Sequence, residues 1–152
     1  MLLVGSTLGF LAGCGGAGGP RPPMGKVSGH VTLDGKPLTT GTITFIPIEG
    51  KGGETGQNAM GDIGSDGGFT LTTFDTDDGA ILGQHKAIVI AHSAPSADID
   101  PSKGIIPSMG GPNGYKPPKP LVPEKYTDPE KTPLKYTVRE GKNDFTVELK
   151  EN

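Results

Sequence analysis

From Lys26 onward, apolar residues fall on alternate positions, the spacing of a β-strand whose two faces meet different surroundings. Val27, Gly29, Val31 and Leu33 alternate with Ser28, His30 and Thr32, which predicts a half-buried strand. Asp34-Gly35-Lys36-Pro37 then predicts a turn, with Gly35 taking positive φ. A β-branched run from Gly41 to Ile48 predicts a second strand. After a Gly-rich loop from Glu49 to Asn58, a short strand around Ala59 to Ile63 meets the hairpin signal Gly64-Ser65-Asp66-Gly67-Gly68, and Phe69, Leu71 and Thr73 mark the return. Gly83 to His92 contains Ala87-Ile88-Val89-Ile90-Ala91, apolar on both faces, as in a central strand. At the C-terminal end, Leu134, Tyr136 and Val138 alternate before a turn over Glu140 to Asn143, and Phe145, Val147 and Leu149 alternate after it, which predicts a closing hairpin.

These seven strands, with no stretch patterned as a helix, predict an all-β chain folded as a single β-sandwich over 26–150. Val31, Phe45, Phe69, Ile88 and Phe145 are the expected core. The segment 93–133 breaks the pattern. It holds ten of the 15 prolines and reads as a long Pro- and Gly-rich insertion before the last hairpin. Two roles are open for its C-terminal half. It is either a strap anchored on the sandwich by Leu121, Val122 and Tyr126, or a recognition surface built on those residues and on Tyr115 and Tyr136.

The first residues follow neither pattern. Met1 to Gly13 is apolar and without charged side chains, shorter than the roughly 20 residues that cross a bilayer, and similar to the apolar stretch of a signal peptide. The Lys or Arg that ordinarily precedes such a stretch is missing, so the signal is either unusually short or starts upstream. Leu11-Ala12-Gly13-Cys14 resembles the lipobox of bacterial lipoproteins. That resemblance implies cleavage before Cys14, diacylglycerol on its thiol and a third chain on the new amino terminus, enough for stable membrane anchoring. Gly15 stands where an Asp would retain a lipoprotein in the inner membrane, so export and a lipid anchor in the outer membrane, or on its periplasmic face, are expected. Residues 14–25, rich in Gly and Pro, then read as a tether.

Composition agrees with a small core. Gly and Pro supply 26 and 15 of 152 residues, and Leu, Ile, Val and Phe together 33, slightly above the rough 20% below which disorder is the default. The net charge of −3 gives no electrostatic reason to expect nucleic acid. One cysteine excludes an internal disulfide framework and a multi-cysteine metal site.

Three segments carry a resemblance to carboxypeptidase regulatory-like domains. Gly29-His30-Val31-Thr32-Leu33-Asp34-Gly35-Lys36-Pro37-Leu38 is similar to their opening strand and turn. Gly64-Ser65-Asp66-Gly67-Gly68-Phe69-Thr70-Leu71 is similar to their hairpin, and Gly83 to Ile90 to the strand that follows. Val122-Pro123-Glu124-Lys125-Tyr126 resembles a segment found in short bacterial lipoproteins of this kind. The resemblance implies a transthyretin-like, Greek-key-type sandwich of seven strands. It does not imply peptidase activity, because in metallocarboxypeptidases this domain is accessory and the zinc ligands lie elsewhere.

Candidate chemistry is sparse. His30, His85 and His92 lack zinc-ligand spacing and read as surface or strand-end residues. Asp75-Thr76-Asp77-Asp78-Gly79 begins like a calcium loop but departs from the EF-hand pattern at Gly79, and reads better as a turn whose carboxylates satisfy loop amides. Lys26 and Asn143 are a weak pair for a Lys–Asn crosslink. No nucleophile elbow, P-loop or dinucleotide fingerprint is present. The expectation is a non-enzymatic structural or binding module without a cofactor, whose partner is an envelope protein or glycan. An accessory carbohydrate- or peptide-binding module of a secreted enzyme system, and a small hydrolase, are the alternatives.

Overall fold

A computed structural model describes residues 21–48, 56–94, 96–97, 115–116 and 118–151. The described chain is all-β, with two sheets packed face to face and one 3-10 turn. Its strands are β1 (Met24–Leu33), β2 (Lys36–Pro37), β3 (Thr42–Pro47), β4 (Ala59–Asp62), β5 (Gly68–Thr70) and β6 (Ala80–Ile81). They continue with β7 (Gly83–Ile90), β8 (Ser96–Ala97), β9 (Tyr115–Lys116), β10 (Lys135–Val138) and β11 (Gly141–Leu149). The seven patterned strands correspond to β1, β3, β4, β5, β7, β10 and β11. Four two-residue strands bring the number to eleven among the described residues, because pairs this short leave no periodicity to read.

In the first sheet β1 is the spine. Along one side it pairs in parallel with β11 over nine residue pairs, from Gly25↔Gly141 to Leu33↔Leu149. Along the other it meets β6, β5 and β2 in turn, each antiparallel. The second sheet runs β10-β7-β3-β4, all antiparallel, so β7 is a central strand of its sheet, as its apolar run predicts. The β4–β5 hairpin folds over one side of the sandwich. Its legs exchange hydrogen bonds at Met60 and Thr72, while β4 belongs to the second sheet and β5 to the first.

The core lies between the sheets. Val27, Val31, Phe69, Leu71, Val147 and Leu149 face Ile43, Phe45, Ala87, Val89 and Val138, all buried. Phe145 is half-buried and packs against this cluster. Its ring lies 4.9 Å from that of Tyr136 and 5.9 Å from that of Phe45. Fully burying side chains of this size contributes about 1.5–3 kcal/mol each.

Three expectations are corrected. The C-terminal residues do not form a hairpin: β10 pairs with β7 and β11 with β1, so the turn between them carries the chain from one sheet to the other. Alternation fixes which side chains point inward, and both triplets do, but it does not specify a partner strand. Ile88 is not in the core. Its inward-facing neighbours are Ala87 and Val89, and Ile88 lies half-buried on the outer face. The sandwich begins two residues before Lys26, because Met24 and Gly25 pair with Ile81 and Ala80. Gly79, at φ +93°, lets this junction close, since a Cβ there would stand 2.0 Å from the Gly25 carbonyl oxygen.

Candidate functional site

The Pro-rich insertion has a built stem. The Ser93 amide donates to the Lys119 carbonyl at 2.8 Å, and the Lys119 amide donates to the Ser93 hydroxyl at 3.0 Å. β8 and β9 pair beyond this clasp. The Pro- and Gly-rich insertion is therefore tied together at Ser96–Ala97 and Tyr115–Lys116, and residues 98–114 lie outside the described ones.

Residues 119–134 run alongside β7. β10 pairs only with its first half, up to Lys86, and the strap takes over from there. Leu134 and Thr132 bond to Ala87, and the Leu121 amide donates to the Ala91 carbonyl. The segment thus satisfies backbone groups of β7 that β10 does not reach, the accounting that buried polar groups demand. Val122 and Tyr126 are buried and Leu121 is half-buried against the core. The 3-10 turn Glu124–Tyr126 aims the Tyr126 ring inward, and its hydroxyl accepts the Lys150 amide at 3.0 Å. Thr132, also buried, donates to the Ala87 carbonyl at 2.7 Å and accepts the Leu134 amide. Of the other residues named for recognition, Tyr136 is half-buried, and burial, with Glu148 nearby, pushes its phenol up to about 12. Tyr115 lies in β9.

Two open depressions mark the sandwich surface. One, of about 520 Å³, lies over β4 between Thr42, Asp62, Thr70, Thr72 and Asp77, with the exposed Met60 at its side. The other, of about 360 Å³, lies over β1 and β5 and gathers Ser28, His30, Asp66 and Asp144. Its Asp66 accepts the Gly68 amide at 2.9 Å, and that bond holds the carboxyl below its ordinary range.

The Asp75–Gly79 loop is organised by Asp78. One carboxylate oxygen accepts the Thr73 amide and the other accepts those of Phe74 and Asp75. Partial burial raises this carboxyl's pKa, but the amides outweigh it and the net direction is down. Both oxygens are thus committed to the loop's own backbone. Arg21 locks the incoming chain to the same loop, pairing with Asp75 and standing over the Phe74 ring.

The structure gives two residues named from the sequence other places than expected. His85 is buried in the core at 1% exposure, whereas the histidines were expected at the surface; His30 and His92 are exposed. Its Nδ1 donates to the Gly83 carbonyl at 3.1 Å, its ring lies 5.9 Å from Phe45, and among the described residues its Nε2 has no partner. Burial lowers its pKa. The signal was parity, since residue 85 shares a strand face with Ala87 and Val89. Asn143 is not poised to crosslink. Its amide nitrogen donates to the Lys26 and Arg139 carbonyls and its oxygen accepts the Arg139 amide, closing the corner between the sheets.

Cys14, the expected lipidation site, lies outside the described residues. Among those described, no group of three or more His, Cys, Asp or Glu is placed to hold a metal ion, and no helix is long and apolar enough to cross a membrane. Comparison with protein-family models, with curated proteins and with solved structures finds no match for the chain.

Proposed function

We propose that the chain is a lipid-anchored, non-enzymatic module of a bacterial cell envelope, a Greek-key-type sandwich of the carboxypeptidase regulatory-like kind. In this reading it is exported, fixed to the outer membrane through Cys14, and holds or binds an envelope protein or glycan. The observation that carries the reading is Leu11-Ala12-Gly13-Cys14, in which the single cysteine follows small residues at the end of an apolar run. Two features of the sandwich support a structural or binding role over a catalytic one. The carboxylate of Asp78 and the amide of Asn143 are spent on backbone groups, and so is the Thr132 hydroxyl, which ties the strap to the Ala87 carbonyl of β7. The tether meets the sandwich at Arg21, whose contacts with the 73–78 loop give the domain a fixed point of suspension.

The Thr- and Asp-lined depression over β4 favours a glycan over a peptide among the partners, because hydroxyls and carboxylates match sugar hydroxyls as donors and acceptors. Metabolic labelling with an alkyne fatty acid tests the anchor. Label is expected on the wild-type chain and lost in Cys14→Ser, and an unmodified Cys14 thiol in membrane-extracted protein overturns the proposal. A glycan and peptide array probed with the purified chain tests the partner class.

A further inference from the structure

β11 is the longest strand at a sheet edge, and its two sides are unequal. The Leu149 carbonyl accepts the Asp34 amide, so the backbone groups of Leu149 point toward β1. In a parallel ladder a residue's N–H and C=O point to the same side and alternate along the strand. Phe145 and Val147 therefore bond to β1, while Lys142, Asp144, Thr146 and Glu148 present theirs to the opposite edge. Among the described residues no strand pairs with that edge. One device blunts it. The amide of Lys150, next on the same side, is taken by the Tyr126 hydroxyl, so among the described residues the strap closes the end of the edge and leaves 142–148 open.

The exposed side chains of these residues read Lys142, Asp144, Thr146, Glu148, and that order selects a partner. Only antiparallel registers that bring even-numbered residues face to face align outward amides with outward carbonyls. Centred on Asp144, two copies oppose Asp144 to itself. Centred on Thr146, they oppose Asp144 to Glu148. Like charges directly opposite are destabilising. A pairing centred on Val147 needs the Lys150 backbone that Tyr126 occupies. A pairing centred on Asn143 overlaps little of the strand, because β11 starts at Gly141. The register centred on Phe145 remains. It places Lys142 opposite Glu148 of the second copy, and Glu148 opposite its Lys142, with Asp144 opposite Thr146 between them.

We propose that the outer edge of β11 is a homodimerisation surface, on which a second copy of the chain pairs antiparallel about Phe145, in a register selected by Lys142 and Glu148. An extended edge with exposed backbone groups is a template for another strand. Here the charges that would ordinarily discourage pairing are self-complementary. The inference is independent of what the module binds and of whether Cys14 carries lipid.

Sedimentation of the full chain in density-matched detergent, which also holds an acylated form in solution, tests it. A concentration-dependent dimer is expected. Lys142→Glu and Glu148→Lys should each weaken it on the order of tenfold by opposing like charges at two symmetric positions, and the double charge swap should restore it. That rescue belongs to the Phe145-centred register, because no other register sets Lys142 against Glu148. Thr146→Pro removes an outward N–H that β1 does not use, so it should abolish the dimer while leaving the fold's melting transition intact. A chain that stays monomeric throughout, a dimer that survives Thr146→Pro, or a double swap that fails to restore association overturns the proposal.

Discussion

The hydroxyl of Tyr126 accepts the backbone amide of Lys150 at 3.0 Å, tying the Pro-rich strap to the end of the last strand. The bond joins an element beside the second sheet to the edge of the first, so the ring is buried in the core while its polar tip satisfies a strand end. Tyr126→Phe should cost about 1 kcal/mol, the net worth of one hydrogen bond. Tyr126→Ala should cost about 3–5 kcal/mol through the cavity it leaves. Denaturant melts of the two variants separate the contributions, and near-equal losses would mean that the ring does not pack.

The outward turn of Ile88 gives a paired test of register. Phe69→Ala should lose about 3–5 kcal/mol of stability, while Ile88→Ala, made on the outer face, should lose about 1 kcal/mol or less. The reverse order in chemical denaturation would place Ile88 inside and move β7 by one residue.

His85 makes stability depend on pH. Its folded-state pKa lies below the ordinary 6.5 because burial disfavours the cation. The unfolded chain therefore binds this proton first as pH falls. Stability is greatest above about 6.5 and declines below it, by at most about 1.4 kcal/mol per pH unit from this group, until the folded-state pKa is reached. His85→Phe should flatten that part of the profile while keeping an aromatic ring against Phe45. Carboxylates such as Asp78 titrate in a lower range, so melts at pH 5 to 8 isolate the histidine.

Two glycines with positive φ separate backbone strain from collision. Gly35, at φ +78°, has open space around it, and Gly35→Ala should cost about 1–2 kcal/mol from conformation alone. A Cβ added at Gly79 would stand 2.0 Å from the Gly25 carbonyl oxygen, so Gly79→Ala adds a clash to the strain and should cost clearly more. Thermal melts that rank the two in the opposite order would contradict the close approach of this loop to β1.

The strands were legible because alternation is a local property. Val27, Gly29 and Val31 on one face and Ser28 and His30 on the other state the pitch of β1 without reference to the rest of the chain. Pairing is not local. Nothing within Phe145-Thr146-Val147 says that it lies beside Gly29-His30-Val31 rather than back against β10. Ile88 was misplaced for a related reason: a run that is apolar on both faces has no parity to read, and Ala87 and Val89 won the inner face through their neighbours on β3. His85 was masked by its chemistry, since a titratable side chain suggests water and its Gly83 partner is invisible in sequence. Among the candidate residues, Val122 and Tyr126 were singled out by their side chains. The bonds that hold them in place, from the Leu121 amide to the Ala91 carbonyl and from the Lys150 amide to the Tyr126 hydroxyl, depended on tertiary structure.

The parallel union of β1 with β11 joins nearly the first described residues to nearly the last. Most of the intervening chain must be in place before the spine of the first sheet gains its long neighbour, so contact order is high and folding correspondingly slow. A nascent or partly threaded chain, lacking residues 141–149, has β1 lined on one side only by fragments of two and three residues. Such a chain stays pliable until its final strand emerges. Closure of the first sheet therefore waits on residues 141–149, the only partner that spans the length of β1 among the described strands.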